Sequence, residues 1–241
     1  MKNPTRHTSL VTLLTKSLAD MKILLNIIQG ILMKVLELFK GTGSVGKCLP
    51  EAEIYSVDIL KKFNPTFCGD IMDFNYKQFE VGYFDIIWAS PECKVFSQLQ
   101  NTHIGENRKW KSKEDLDIVR KDNWKYVLKV LEIVDYLKPK YWFIENPWNS
   151  AMKDIPQLKQ LKSYRFDYCR FGFQYKKPTR IWTNRNDIED HICNCKNNKH
   201  PFRIGMNNHL LEGQGKDKTK QDIRYRIPTE LILYLINNAV Y

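Results

Sequence analysis

The sequence predicts an α/β fold, a doubly wound, mostly parallel sheet with helices on both faces. Three observations predict it. Short apolar runs at 35–39, 54–59, 86–89 and 141–144, and a shorter strand end near Cys68, each lead into a turn carrying a polar residue. A glycine-rich turn follows the first run at once. A long segment, Trp124–Leu137, repeats apolar residues at helical spacing: Tyr126, Val127, Val130, Leu131, Val134 and Leu137. With 241 residues and 43% hydrophobic residues, the chain is large enough for one such domain without disulfides.

Taken in order, residues 8–36 are apolar but interrupted by Lys16, Asp20, Lys22 and Lys34, so they are read neither as a membrane span nor as a secretory signal. The first 19 residues are basic, rich in Ser and Thr and free of acids, like an organellar presequence. The favoured expectation is a dispensable leader or helical extension over 1–33, with Met21 or Met33 as alternative starts. Val35–Phe39 is the first strand, followed by Lys40-Gly-Thr-Gly-Ser-Val-Gly46 and a short helix. The second strand ends at Asp58-Ile59, and the third strand end carries Asp70-Ile71. A glycine turn after one strand and an acid at the end of the next is a nucleoside-binding layout, with the acid on the ribose hydroxyls. Asp70 is placed either against an adenine amino group, with Ile71 on the ring, or as a helix N-cap. Glu37-x-Phe39-x-Gly41-x-Gly43 fits S-adenosylmethionine better than a dinucleotide, with Glu37 orienting the loop or the methionine ammonium. No P-loop is present.

The fourth strand, Ile86–Ala89, delivers Ser90-Pro91-Glu92-Cys93 at the sheet edge where ligands bind. Pro91 fixes this turn and positions the Cys93 thiol. Residues 98–123, mostly polar and charged, basic and carrying Trp110, read as a loop closing over nucleic acid, with a solvated helix over Lys113–Val119 as the alternative for that part. The fifth strand ends at Glu145-Asn146-Pro147, which offers an acid/base carboxylate that Asn146 holds. Two β segments lie within 166–184, with Arg180 at the start of the second. Cys193, Cys195 and His200 form a candidate zinc site without an evident fourth ligand. Residues 203–221 read as a mobile Gly-, Asn- and Lys-rich loop, and 226–236 as a closing amphipathic helix with Pro228 in its first turn. The resulting division is 1–33 leader, 34–184 cofactor-binding domain, 185–225 loop-rich insert, and 226–241 closing helix. A net charge of +11 suits a polyanionic partner. Six cysteines at irregular spacing indicate a reducing intracellular compartment, namely cytoplasm, nucleus or a viral factory.

Together these segments resemble the DNA (cytosine-5) methyltransferase family over roughly residues 34–236. Leu38-Phe39-x-Gly41-x-Gly43 resembles its cofactor loop, Asp58 and Asp70 its ribose and adenine acids, and Pro91-Glu-Cys93-x-x-Phe96-Ser97 its nucleophile loop. Glu145-Asn146 is similar to its Glu-Asn pair, Arg180 stands in its Arg-x-Arg segment, and Ile227-Pro228-x-x-Leu231 resembles its final helix. The resemblance implies a Rossmann-like S-adenosylmethionine-dependent methyltransferase fold and a cofactor site at Glu37, Phe39, Gly41, Gly43, Asp58, Ile59, Asp70, Ile71 and Pro91. It further implies catalysis by Cys93, Glu145 and Arg180 on a DNA cytosine flipped from the duplex. RNA as the partner, or a non-catalytic relative that binds S-adenosylmethionine and DNA, are the alternatives. Three departures stand out. Glu92 sits beside the nucleophile, where a carboxylate disfavours the thiolate. Lys177-x-Thr179-Arg180 has one arginine fewer than the family segment. Only about 46 residues separate Arg180 from Ile227, where the family usually carries a long target-recognition region.

Overall fold

The computed structural model describes residues 33–195, 200 and 225–237. The expected leader, apart from Met33, and the loop at 203–221 lie outside these residues. Seven strands form one sheet in the order β3-β2-β1-β4-β5-β7-β6. They are β1 Lys34–Leu38, β2 Glu53–Asp58, β3 Phe67–Cys68, β4 Ile86–Ala89, β5 Tyr141–Pro147, β6 Ser163–Asp167 and β7 Pro178–Thr183. Strands β1 to β5 run parallel, whereas β7 is antiparallel to both β5 and β6.

Alternation along the strands builds two cores. Leu36, Leu38, Ile87, Ala89, Ile144 and Trp182 face one side, packed against Val127, Val130, Ile133 and Leu137 of a long helix. Val35, Ile86, Trp88, Phe143 and Ile181 face the other, beneath Leu231, Ile232, Leu235 and Ile236 of the last helix. The helices are α1 Ser44–Cys48, α2 Lys113–Leu137, α3 Pro156–Lys159 and α4 Thr229–Asn237. Only α2 is long. Between β2 and β4 the layer over the sheet is made from short 3-10 turns and stacked rings instead of helices. There Phe79 meets Tyr55 at 5.0 Å and Phe84 at 4.9 Å. Edge-on ring contacts of this kind fill a layer without a helix's length of chain.

Two sequence expectations need correction. The polar stretch 98–123 is not one loop. It contains a 3-10 segment, Gln98–His103, and the first eleven residues of α2, which begins at Lys113. A capping box starts the helix there, with Ser112 Oγ accepting from Asp115 N and Asp115 returning a bond to Ser112 N. Its helical part is polar because only Leu116 and Arg120 of residues 113–123 turn inward. Glu145 and Asn146 lie inside β5 and not in a turn after it, because β7 pairs as far as Pro147↔Thr179.

Candidate active site

One large cavity opens at the carboxyl ends of β1, β2, β4 and β5, with a volume of about 1130 Å3. Its lining includes Glu37, Phe39, Gly41, Asp58, Ile59, Asp70, Ile71, Pro91, Cys93 and Glu145. The residues expected at the cofactor and at the nucleophile therefore share one space, apart from Gly43 and Arg180.

The glycine loop is set by backbone conformation. Gly41 and Gly43 have φ of +49° and +66°, a region that favours glycine. Phe39 also has positive φ, at 55°, which turns the chain sharply out of β1. The Asp58 carboxylate ties the loop to β2, one oxygen accepting from Gly41 N and the other from Leu60 N, both at 2.8 Å. Asp70 caps the 3-10 turn Ile71–Asp73 by accepting from Met72 N at 2.9 Å, and it also faces the cavity. Ile59 is 64% exposed and forms apolar wall beside it.

Glu37 is only 3% exposed. Its Oε1 accepts from Val45 N at 3.2 Å, and Oε2 has no hydrogen-bond partner. Burial pushes this carboxyl up to about 7, against the pull of the Val45 and Gly46 amides and of Lys40 and Lys47. An unsatisfied acid at the wall of a cavity is the kind of group that a cationic ligand completes. The donor set of this half suits S-adenosylmethionine: a buried acid for the ammonium, a second acid for ribose hydroxyls, and apolar surface for an adenine ring.

The nucleophile loop is held from several directions. Asn146, fully buried, donates from Nδ2 to Pro91 O at 3.0 Å. Gln100 donates to Lys94 O at 2.9 Å, and Arg120 donates to Val95 O and Ser97 O, both at 3.3 Å. Ala151 N donates to Phe96 O at 2.8 Å. Asn146 thus braces the Cys93 loop rather than Glu145, because successive β5 residues face opposite sides of the sheet. Glu145, 8% exposed, instead accepts a hydrogen bond from buried Tyr168 Oη at 3.1 Å and lies 3.6 Å from Lys177 Nζ.

Burial raises the Cys93 thiol, and the Glu145 carboxylate adds to the rise, whereas Lys177 opposes it. Glu92, the neighbour that the sequence marked as the problem, is the smallest of these influences. Arg180 is not brought into the cavity. It stacks on Trp148 at 3.7 Å and donates to Ser163 Oγ at 2.7 Å. Trp148 itself lines the cavity, so Arg180 supports the wall from behind, and Lys177 is the cation facing Glu145. The sequence reading named Gln100 and Arg120 only as parts of a basic loop and Lys177 only in the Lys177-x-Thr179-Arg180 segment, and it did not single out Tyr168. Arg120 had a signal: it falls four residues after Leu116 on the inward stripe of α2.

A parallel sheet closed by an antiparallel β7, with a glycine loop after β1 and acids ending β1 and β2, makes this a Rossmann-like S-adenosylmethionine-dependent methyltransferase fold. A probable DNA (cytosine-5)-methyltransferase of Frog virus 3 (isolate Goorha) is 31% identical over 217 residues, which is 85% of this chain and 99% of that protein. The chain belongs to the DNA (cytosine-5)-methyltransferase family. No family model matches it. Looser likenesses among solved structures include an Entamoeba histolytica methyltransferase, with TM-score 0.45, 20% identity, and coverage of 66% of this chain and 56% of that one. Another is the Dnmt2 methyltransferase of S. pombe, with TM-score 0.42, 17% identity, and coverage of 66% and 51%. The chain spans about half the length of these solved proteins. Among the described residues, no helix is long and apolar enough to cross a membrane.

Proposed function

We propose that the protein methylates carbon 5 of cytosine in DNA, through a transient bond between Cys93 and carbon 6 of the ring. The observation that carries this reading is that one cavity holds the glycine loop and its acids at one end and Cys93 with Glu145 and Lys177 at the other. When bound, S-adenosylmethionine supplies an electrophilic methyl group on a sulfonium. Glu37, the Gly41 turn, Asp58, Ile59, Asp70, Ile71 and Pro91 are the residues that hold it.

The protein's own groups act on the cytosine. Carbon 5 of the free ring is a poor nucleophile. Cys93 gives its thiol proton to the Glu145 carboxylate, and the thiolate adds to carbon 6 as Glu145 passes that proton to N3, so electron density moves to carbon 5 as in an enamine. After methylation, a solvent water acting as base takes the carbon-5 proton, N3 returns its proton to Glu145, and the double bond re-forms as Cys93 leaves as thiolate. Lys177 stabilises that thiolate and keeps Glu145 in place, while Tyr168 fixes the carboxylate from beneath. Arg180 acts at one remove, by stacking on Trp148. A cytosine inside a duplex cannot reach Cys93, so the base is flipped out into the cavity, whose wall includes Leu99, Gln100 and His103.

The test is methyl transfer from labelled S-adenosylmethionine to duplex DNA and, in parallel, to structured RNA, followed by nucleoside analysis. The expected product is 5-methylcytosine in DNA. Label appearing only in RNA, or on an amino nitrogen, overturns the proposal.

A further inference from the structure

We propose that Cys169, Cys193, Cys195 and His200 form a structural zinc site, which clamps the turn after β6 to the segment that follows β7. The sequence offered three of these ligands. The fourth, Cys169, comes from the 3-10 turn Tyr168–Phe171 and meets them only through folding. The four ligand atoms lie within 4.8 Å of one another. Zinc–ligand bonds of about 2.3 Å to sulfur and about 2.0 Å to nitrogen place tetrahedral neighbours about 3.6–3.8 Å apart. Cys193 Sγ and His200 Nε2 stand 3.4 Å apart, so a small adjustment closes the set around one ion.

The surroundings build this site. The chain before the ligands is stitched to β6: Asp167 N donates to His191 O at 3.0 Å, and His191 N donates to Arg165 O at 2.8 Å. Fully buried Asp167 accepts from Cys193 N at 2.9 Å while holding Arg165 at 3.0 Å. Arg170 donates to Asn194 Oδ1 at 2.7 Å, which fixes the residue between the two cysteines. Outer partners of this kind orient ligands before the ion arrives. The other cysteines, Cys48, Cys68 and Cys93, contribute nothing to this cluster. Three thiolates and one imidazole form a closed, soft tetrahedral set, which selects zinc and leaves no open position for chemistry. Its role is to anchor the short segment that stands where relatives of this family carry target recognition.

The test uses the full chain, desalted and washed with chelator, then assayed by elemental analysis. One zinc per chain is expected in the wild type and in Cys68→Ser, and loss of zinc in Cys169→Ser after the same wash. Cobalt exchanged into the wild type should give the visible bands of a tetrahedral ion and a thiolate charge-transfer band, and Cys169→Ser loaded with cobalt and left unwashed should show a weaker charge-transfer band. Should that variant fail to fold, alkylation of the wild type decides: zinc should protect Cys169, Cys193 and Cys195 together while Cys68 reacts. Absence of stoichiometric zinc, iron in its place, a disulfide within the cluster, or Cys169 reacting as fast as Cys68 overturns the proposal. None of these readouts depends on methyl transfer.

Discussion

Glu37 makes the sharpest quantitative prediction. Its carboxyl is raised from 4.5 to about 7 in the fold by burial, against the pull of the Val45 and Gly46 amides and of Lys40 and Lys47. A raised acid favours the protonated folded form. Its stabilising contribution is complete below the unfolded value of 4.5 and is lost as pH climbs through 7. The span corresponds to about 3 kcal/mol. Glu37→Gln keeps an acceptor for Val45 N and removes the charge. Urea unfolding of both proteins across pH 4.5–7.5 should therefore show the variant gaining on the wild type as pH rises, by about 3 kcal/mol at the top. If S-adenosylmethionine binds as proposed, its ammonium would sit beside Glu37 and favour the charged form. Its binding to the wild type near pH 6 should therefore release close to one proton, measurable by calorimetry in buffers of different ionisation heat, and the variant should release none. Parallel stability curves, or proton release unchanged in Glu37→Gln, would refute the reasoning.

The remaining predictions follow from single contacts. Asp58→Ala should weaken S-adenosylmethionine binding by about 1–3 kcal/mol in calorimetry, since it removes charge-assisted bonds and frees the Gly41 turn. Lys177→Gln should move the rising limb of the pH–rate profile to higher pH, because the ammonium that lowers the Cys93 thiol is gone; an unmoved limb removes Lys177 from the mechanism. Arg120→Met should lower kcat with the S-adenosylmethionine Kd unchanged, because Arg120 grips the Cys93 loop and not the cofactor half. Duplex binding should weaken steeply with added salt, and bisulfite mapping should reveal a recognition sequence of only a few base pairs, since the short region after Arg180 leaves little scaffold for base readout; modification confined to six or more defined bases contradicts this.

The cofactor half was legible because its information is local. Glycines that need positive φ, and acids that directly follow apolar runs, mark strand ends whatever the rest of the chain does. The same locality failed for the catalytic half. Glu145 read as a turn residue because β7, which extends β5 past it, lies more than thirty residues away. Asn146 read as its neighbour's partner, although alternation in a strand sends the two side chains apart. Lys177 and Tyr168 gained their meaning only when β5 and β7 aligned. Cys169 likewise shows no metal spacing in sequence, since its partners arrive through the edge pairing of β6 with His191. The α2 start was half legible: Lys113–Val119 read as helical from the residue where α2 begins, but polar composition kept it apart from the apolar period at Trp124–Leu137. A helix with one inward stripe and a solvated face looks like a loop wherever the stripe holds an arginine, as at Arg120.

The central claim, a cysteine-first attack on cytosine, is tested most directly by covalent trapping. A duplex carrying 5-fluorocytosine has no proton to lose at carbon 5, so the bond to Cys93 persists after methyl transfer. The account predicts a stable protein–DNA adduct that requires S-adenosylmethionine, maps to Cys93 by peptide mass spectrometry and is absent in Cys93→Ser. Methylation of ordinary duplex DNA without any adduct on the fluorinated one, or an adduct mapping to another residue, would contradict it.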